Sequence, residues 1–144
     1  MLFYDGVCGL CNRLVRFLLR FDHNDRFRYA TLQSDFTPKI LNRHGLNPAD
    51  LDSVVLISDF GLPTEAAHTK SDAILAAARD LGGIWRLGLL ARLLPRPVRN
   101  WGYNRIARNR YRIFGRYDSC PLPKPENRVK FVDHIEVNHQ VRGN

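Results

Sequence analysis

Two cysteines with two residues between them, Cys8 and Cys11, stand where one kind of sequence pattern turns into another. Leu2–Asp5 is a short apolar run, and Asp5-Gly6 is a turn signal. From Leu10 the apolar residues fall at Leu14, Phe17, Leu18 and Phe21, the series of an amphipathic helix, with Asn12, Arg13, Arg16 and Arg20 on the other face. The stretch therefore reads as strand, turn, then a helix that runs from about Cys8 to Phe21 and carries both cysteines in its first turn. That placement has chemical consequences. Residues three apart on a helix are neighbours, so the two sulfurs can reach disulfide geometry. The first turn also has free N–H groups and the positive end of the helix dipole, which lower a thiol pKa from ~8.5 into the range ~3.5–7.5. Cys8 is expected as the exposed nucleophile and Cys11 as the more buried resolving thiol. Arg13 and Arg16 are the basic residues expected to support the thiolate. Asp5 either receives or relays the proton when Cys11 attacks, or simply makes the tight turn.

The remaining pattern is α/β. Arg26–Ala30 alternates like a strand, which makes a βαβ unit with a parallel pairing. Ser34 or Asp35 can cap a helix that Gly45 stops. Ser53–Ile57 is a continuous β-branched run, so a central strand. Asp59-Phe60-Gly61 turns into a return strand over Thr64–Lys70, and Ser71 then caps a helix closed by Gly82-Gly83. Ile84, Leu87, Leu90, Ala91 and Leu94 form a further helical stripe, broken by Pro95 and Pro97. Trp101, Arg105, Ile106, Asn109 and Ile113 suggest another helix, ended by Gly115. After Pro125 the chain is polar, with one strand-like patch at Val129–Val132.

Asp5-Gly6-x-Cys8-x-x-Cys11 resembles the signature of the DCC family of thiol-disulfide oxidoreductases. Thr69–Ala73, Leu93-Leu94-Pro95, Ala107–Gly115 and Cys120-Pro121-Leu122-Pro123 are similar to further stretches of that family. The resemblance implies a thioredoxin-like fold: a central mixed sheet flanked by helices, here with a helical, arginine-rich C-terminal extension. The expected organisation is one domain over 1–123, with its core at about 1–83 and the extension at about 84–117, and a polar tail over 124–144. The implied activity is thiol-disulfide exchange of the protein-disulfide reductase type. It needs no cofactor or metal. Its partners are a disulfide-containing protein or small thiol and an external thiol reductant. Thioredoxin-like enzymes usually place a cis-proline just before the third strand; here Asp52-Ser53 stands there.

The competing reading is a non-catalytic binding module. Cys8 and Cys11 could hold zinc, with Cys120 and the pair His134 and His139 to complete the site, although that spacing is far from finger-like. Cys120 could equally be a third redox thiol or a small buried residue. Three cysteines in 144 residues do not make a secreted disulfide framework. No signal-peptide pattern and no transmembrane segment is visible, so the expected compartment is cytoplasmic. The formal net charge is +8, and nine arginines with no acidic residue lie between Leu81 and Tyr117, so the basicity belongs to the extension. That segment could meet nucleic acid or an anionic membrane. The reading adopted is a helical cap whose apolar stripe packs on the sheet while its arginines stay wet, with no specific nucleic-acid partner.

Overall fold

The computed structural model describes residues 1–51, 54–118, 121 and 123–133. Four strands form one mixed sheet in the order β2-β1-β3-β4. These are β1 (Leu2–Tyr4), β2 (Tyr29–Thr31), β3 (Val55–Ser58) and β4 (Ala66–Thr69). β1 pairs parallel with β2, Leu2 opposite Tyr29 and Tyr4 opposite Thr31. It pairs antiparallel with β3, and β3 pairs antiparallel with β4 from Val55–Thr69 to Ser58–Ala66. The sheet pleat sends alternate side chains to opposite faces. Leu2, Tyr4 and Leu56 join Val15 and Leu18 of α1 (Gly9–Phe21) and Ala73, Ala76 and Ala77 of α3 (Lys70–Leu81) in one core. Phe3, Val55 and Ile57 meet Leu41 of α2 (Thr37–Arg43) in the other. Each fully buried Leu, Val or Ile contributes about 1.5–3 kcal/mol. This is the thioredoxin-like layout, a mixed sheet with helices on both faces, and β1 at its centre aims the turn after Tyr4 at the top of α1.

Local details differ from the sequence reading. Arg26 and Phe27 lie outside β2, because the buried Asp22 carboxylate accepts both their N–H groups at 3.0 Å. Neither Ser34 nor Asp35 caps α2; its N-cap position is Phe36, and Ser34 Oγ instead meets Thr31 Oγ1 at 2.9 Å. β4 begins at Ala66 rather than Thr64. Ser71 lies inside the first turn of α3, where its hydroxyl donates to Asn100 Oδ1.

The extension differs most. Gly83–Leu93 is a 3-10 helix, not an α-helix. It follows Gly82 and Gly83, both at positive φ (72° and 56°), a conformation that breaks helical register and that glycine reaches without strain. Pro95 and Pro97 do not interrupt a helix; they open α4 (Arg96–Arg108), where a missing N–H costs nothing. α4 and the short α5 (Arg110–Phe114) part at Asn109. Arg99 and Arg96 pair with Asp72 at 3.1 and 2.8 Å and hold α4 against α3. Over Pro125–Lys130 the chain makes a short 3-10 turn, and Phe131 then enters the core, stacked 5.2 Å from Tyr29 and bridged to it. Of the three apolar residues in the strand-like patch, Phe131 is the one buried beside β2.

Candidate active site

Asp5, Gly6 and Val7 turn the chain from β1 into α1, and Cys8 is the N-cap of that helix rather than a member of its first turn. Its backbone is extended (φ −80°, ψ 121°), and its sulfur accepts the N–H of Cys11 at 3.3 Å. An N-cap oxygen commonly takes that bond; here a sulfur does. Asn12 locks the turn from within, its amide donating to Gly6 O at 2.8 Å and Cys8 O at 2.9 Å. Asn12 is buried, although its place in the helical pattern put it on the wet face.

The geometry separates the two thiols. The Cys8 pKa falls from 9.0 to about 6. The main cause is the hydrogen bond from the Cys11 thiol, with the Cys11 and Leu10 N–H groups and the positive charge of Arg110 acting in the same sense against burial. Cys11 moves far the other way. Its proton is held between the sulfurs, its site is buried, and the charges of Cys8 and Asp5 oppose a second anion.

The cation beside the sulfurs is Arg110, from the extension. Arg13 lies 5.4 Å from the Phe114 ring centroid, and Arg16 donates to Tyr117 Oη at 3.3 Å. Both are exposed on the helix face and hold the segment that crosses the turn. Arg110 is buried, 3.6 Å from Asp5 Oδ2, and donates to Tyr111 Oη at 3.1 Å; that hydroxyl in turn donates to Asp5 at 2.5 Å. The other carboxylate oxygen of Asp5 accepts Val7 N at 3.1 Å and Gln33 Nε2 at 3.0 Å, while Gln33 Oε1 takes Gly6 N. Asp5 therefore does make the tight turn, and its negative charge is countered by Arg110. Sequence reasoning did not single out Arg110, Tyr111, Gln33 or Asn12. For the first two a signal existed, since both lie in the Ala107–Gly115 stretch already marked as family-like.

Cys8 is not the exposed thiol. It is 0% exposed, against 4% for Cys11. The segment after α5 runs over it as a strap. Gly9 N donates to Gly115 O at 3.1 Å, Tyr117 N donates to Val7 O at 2.8 Å, and Cys8 bridges to Arg116. A Cβ on Gly9 would stand 2.1 Å from Phe114 O, so only glycine permits this approach. On the other side of the pair, an apolar cavity of about 210 Å³ reaches Cys11 between Leu14, Val54, Ile74, Ile106 and Arg110. Cys120, His134, His139 and the Asp52-Ser53 position lie outside the described residues. Among the described residues, no group of three His, Cys, Asp or Glu side chains comes together as a metal site, and no helix is long and apolar enough to cross a membrane.

The model of the DCC1-like thiol-disulfide oxidoreductase family matches residues 2–116. The chain is 38% identical over 132 residues to the uncharacterized protein YuxK of Bacillus subtilis, covering 92% of this chain and 93% of that one. It is 37% identical over 123 residues to the chloroplastic DCC family protein At1g52590 of Arabidopsis thaliana, covering 85% of this chain and 69% of that one. No solved structure matches it.

Proposed function

The chain belongs to the DCC1-like thiol-disulfide oxidoreductase family, and from that premise we propose that it exchanges disulfides through Cys8 and Cys11. The observation that carries the reading is the split between two adjacent thiols: one stabilised as a thiolate at a helix N-cap, the other holding its proton against it. The Cys8 thiolate attacks a substrate disulfide, one sulfur bonds to Cys8, and the other leaves as a thiolate. Two of the causes that keep Cys11 protonated, the acceptor sulfur and its charge, disappear with that step. Cys11 then loses its proton, with Asp5 as the nearby carboxylate to receive it. It attacks Cys8 and expels the second substrate thiolate. An external thiol reduces the Cys8–Cys11 bond and restores the start.

The strap gives this cycle a condition. A substrate sulfur reaches Cys8 only when Gly115–Tyr117 lifts from the turn, which breaks the two backbone hydrogen bonds to Val7 and Gly9. Exchange rates should therefore saturate with substrate at a limit set by strap opening.

The test is alkylation against pH, together with trapping. Cys8 should react with a midpoint near 6, and Cys11→Ser should accumulate a mixed disulfide that Cys8→Ser cannot form. Cys11→Ala removes the side chain that hydrogen-bonds the thiolate, so its Cys8 midpoint should rise. If both thiols titrate near ~8.5 like unperturbed cysteines and no adduct forms in Cys11→Ser, the redox reading fails.

A further inference from the structure

The arginine-rich extension carries an observation that the redox site does not use. In a 3-10 helix the repeat is three residues, so side chains at i, i+3 and i+6 eclipse one another. Gly83–Leu93 sorts into three rows on that period. Trp85, Gly88 and Ala91 form the inner row: Trp85 packs on Phe17 and Phe21 with ring centroids 4.8 and 4.9 Å apart, a Cβ on Gly88, itself exposed, would touch Ala78 at 3.6 Å, and Ala91 is half-buried. Ile84, Leu87, Leu90 and Leu93 form the outer row and are 72, 63, 63 and 85% exposed. Arg86, Leu89 and Arg92 form the third. The expected packing of the apolar stripe on the sheet is thus overturned. The inner row pins the helix, and the pinning holds the outer row in water. α4 continues the surface with exposed Val98, Trp101 and Arg105.

This face is apolar at its tips, positively charged beside them and without an acidic residue from Leu81 to Tyr117. A soluble monomer rarely keeps so continuous an apolar patch exposed without a use for it. The row is about 18 Å long at ~2 Å per residue, long enough to lie along a bilayer surface. Branched aliphatic tips flanked by arginines and one exposed tryptophan make the pattern of an element that rests in the headgroup layer. Nucleic acid fits it less well. Base stacking needs flat rings, and the row offers four acyclic aliphatic side chains instead.

We propose that Gly83–Leu93 and the start of α4 dock this protein on an anionic lipid surface. Ile84, Leu87, Leu90 and Leu93 enter the boundary of the acyl region, and Arg86, Arg92 and Arg105 meet the lipid phosphates. The charge selects anionic lipid, and the apolar row keeps the complex together when salt screens the charge.

Co-sedimentation with phosphatidylcholine vesicles, with and without phosphatidylglycerol, tests this. Partition onto the anionic vesicles should be at least about tenfold stronger and should persist in part at physiological salt. The double variant Leu87→Glu/Leu93→Glu should lower it at least about tenfold while leaving the circular dichroism and melting midpoint in place, because both side chains stand in water. Arg86→Glu/Arg92→Glu should remove the preference for anionic lipid. The proposal is overturned if the wild type ignores the anionic vesicles or if the leucine variant binds them as well as the wild type does. It is equally overturned if light scattering shows a dimer that the leucine variant dissolves, or if the face binds RNA or DNA in a salt-resistant way.

Discussion

The turn around Cys8 and the 3-10 helix Gly83–Leu93 lie at opposite extremes of the same molecule. In the turn, the polar side chains of Asp5, Gln33, Asn12 and Tyr111 are tied to one another or to backbone, and the reacting sulfur sees no water. On the helix, four aliphatic side chains stand in water beside free-standing arginines. Arginine serves both regions, but as different physical objects. Arg110 is a buried charge whose position is fixed by an ion pair and a hydroxyl. Arg86 and Arg92 are solvated charges whose position matters little to the fold. Residue type alone therefore does not tell a site from a surface; burial and partners do.

The sharpest separation of the two regions is their response to pH. The folded-state pKa of Cys8 is depressed from 9.0 to about 6, so its contribution to stability is present above 9 and is lost as pH falls through 6. Cys11 is raised, so its contribution is full below 9 and declines above that. The two thiols should give the reduced protein a gain of about tenfold in the unfolding equilibrium per pH unit between 6 and 9 and a loss above. Oxidised protein, in which Cys8 and Cys11 no longer titrate, should lack this contribution. Denaturant melts of both forms across that range measure the difference. The 3-10 helix Gly83–Leu93, whose charges are Arg86 and Arg92, should add nothing to it.

One substitution made twice comes next. Arg110→Leu strands the buried Asp5 carboxylate and should cost about 3–5 kcal/mol, with the Cys8 alkylation midpoint moving up. Arg92→Leu should stay within about 0.5 kcal/mol and leave the midpoint alone. Equal effects in urea melts would mean that the two arginines do the same work, and the contrast would collapse.

Glycine gives the third comparison. Gly9→Ala drives a methyl group into the Phe114 carbonyl, 2.1 Å away, and should cost about 1–3 kcal/mol or release the strap. Gly88→Ala meets only ordinary van der Waals contact and should be nearly neutral. Gly102→Ala in α4, where the added methyl has open space, should have the opposite sign. It should stabilise by about 0.4–1 kcal/mol, seen as a small rise in melting midpoint.

Much of the fold was legible because its elements follow the usual periods. α1 shows the helical series, and β3 is an uninterrupted apolar run, so strand, turn and helix around the CxxC could be placed from sequence. The extension was misread because a 3.6-residue period was applied to a segment that repeats every three. Ile84, Leu87, Leu90 and Leu93 satisfy the shorter period, with Gly82-Gly83 before them as the cue. At the site, Cys8 and Cys11 announce themselves by spacing. Arg110 does not, because one buried arginine among nine looks like the others until tertiary structure brings Asp5 to it. The burial of Cys8 was illegible for the same reason, since its cover comes from Phe114–Tyr117.

That distance along the chain also sets an order in time. Tyr111 and Asp5 bond across 106 positions, so during translation the cysteines are made first and their cover and counter-charge last. At ribosomal speed the nascent chain carries an unshielded pair for roughly 5–20 s. Over that interval Cys8 also lacks the arginine that helps to make it a thiolate. The thiol is accessible while it is least activated, and becomes activated only as it is enclosed.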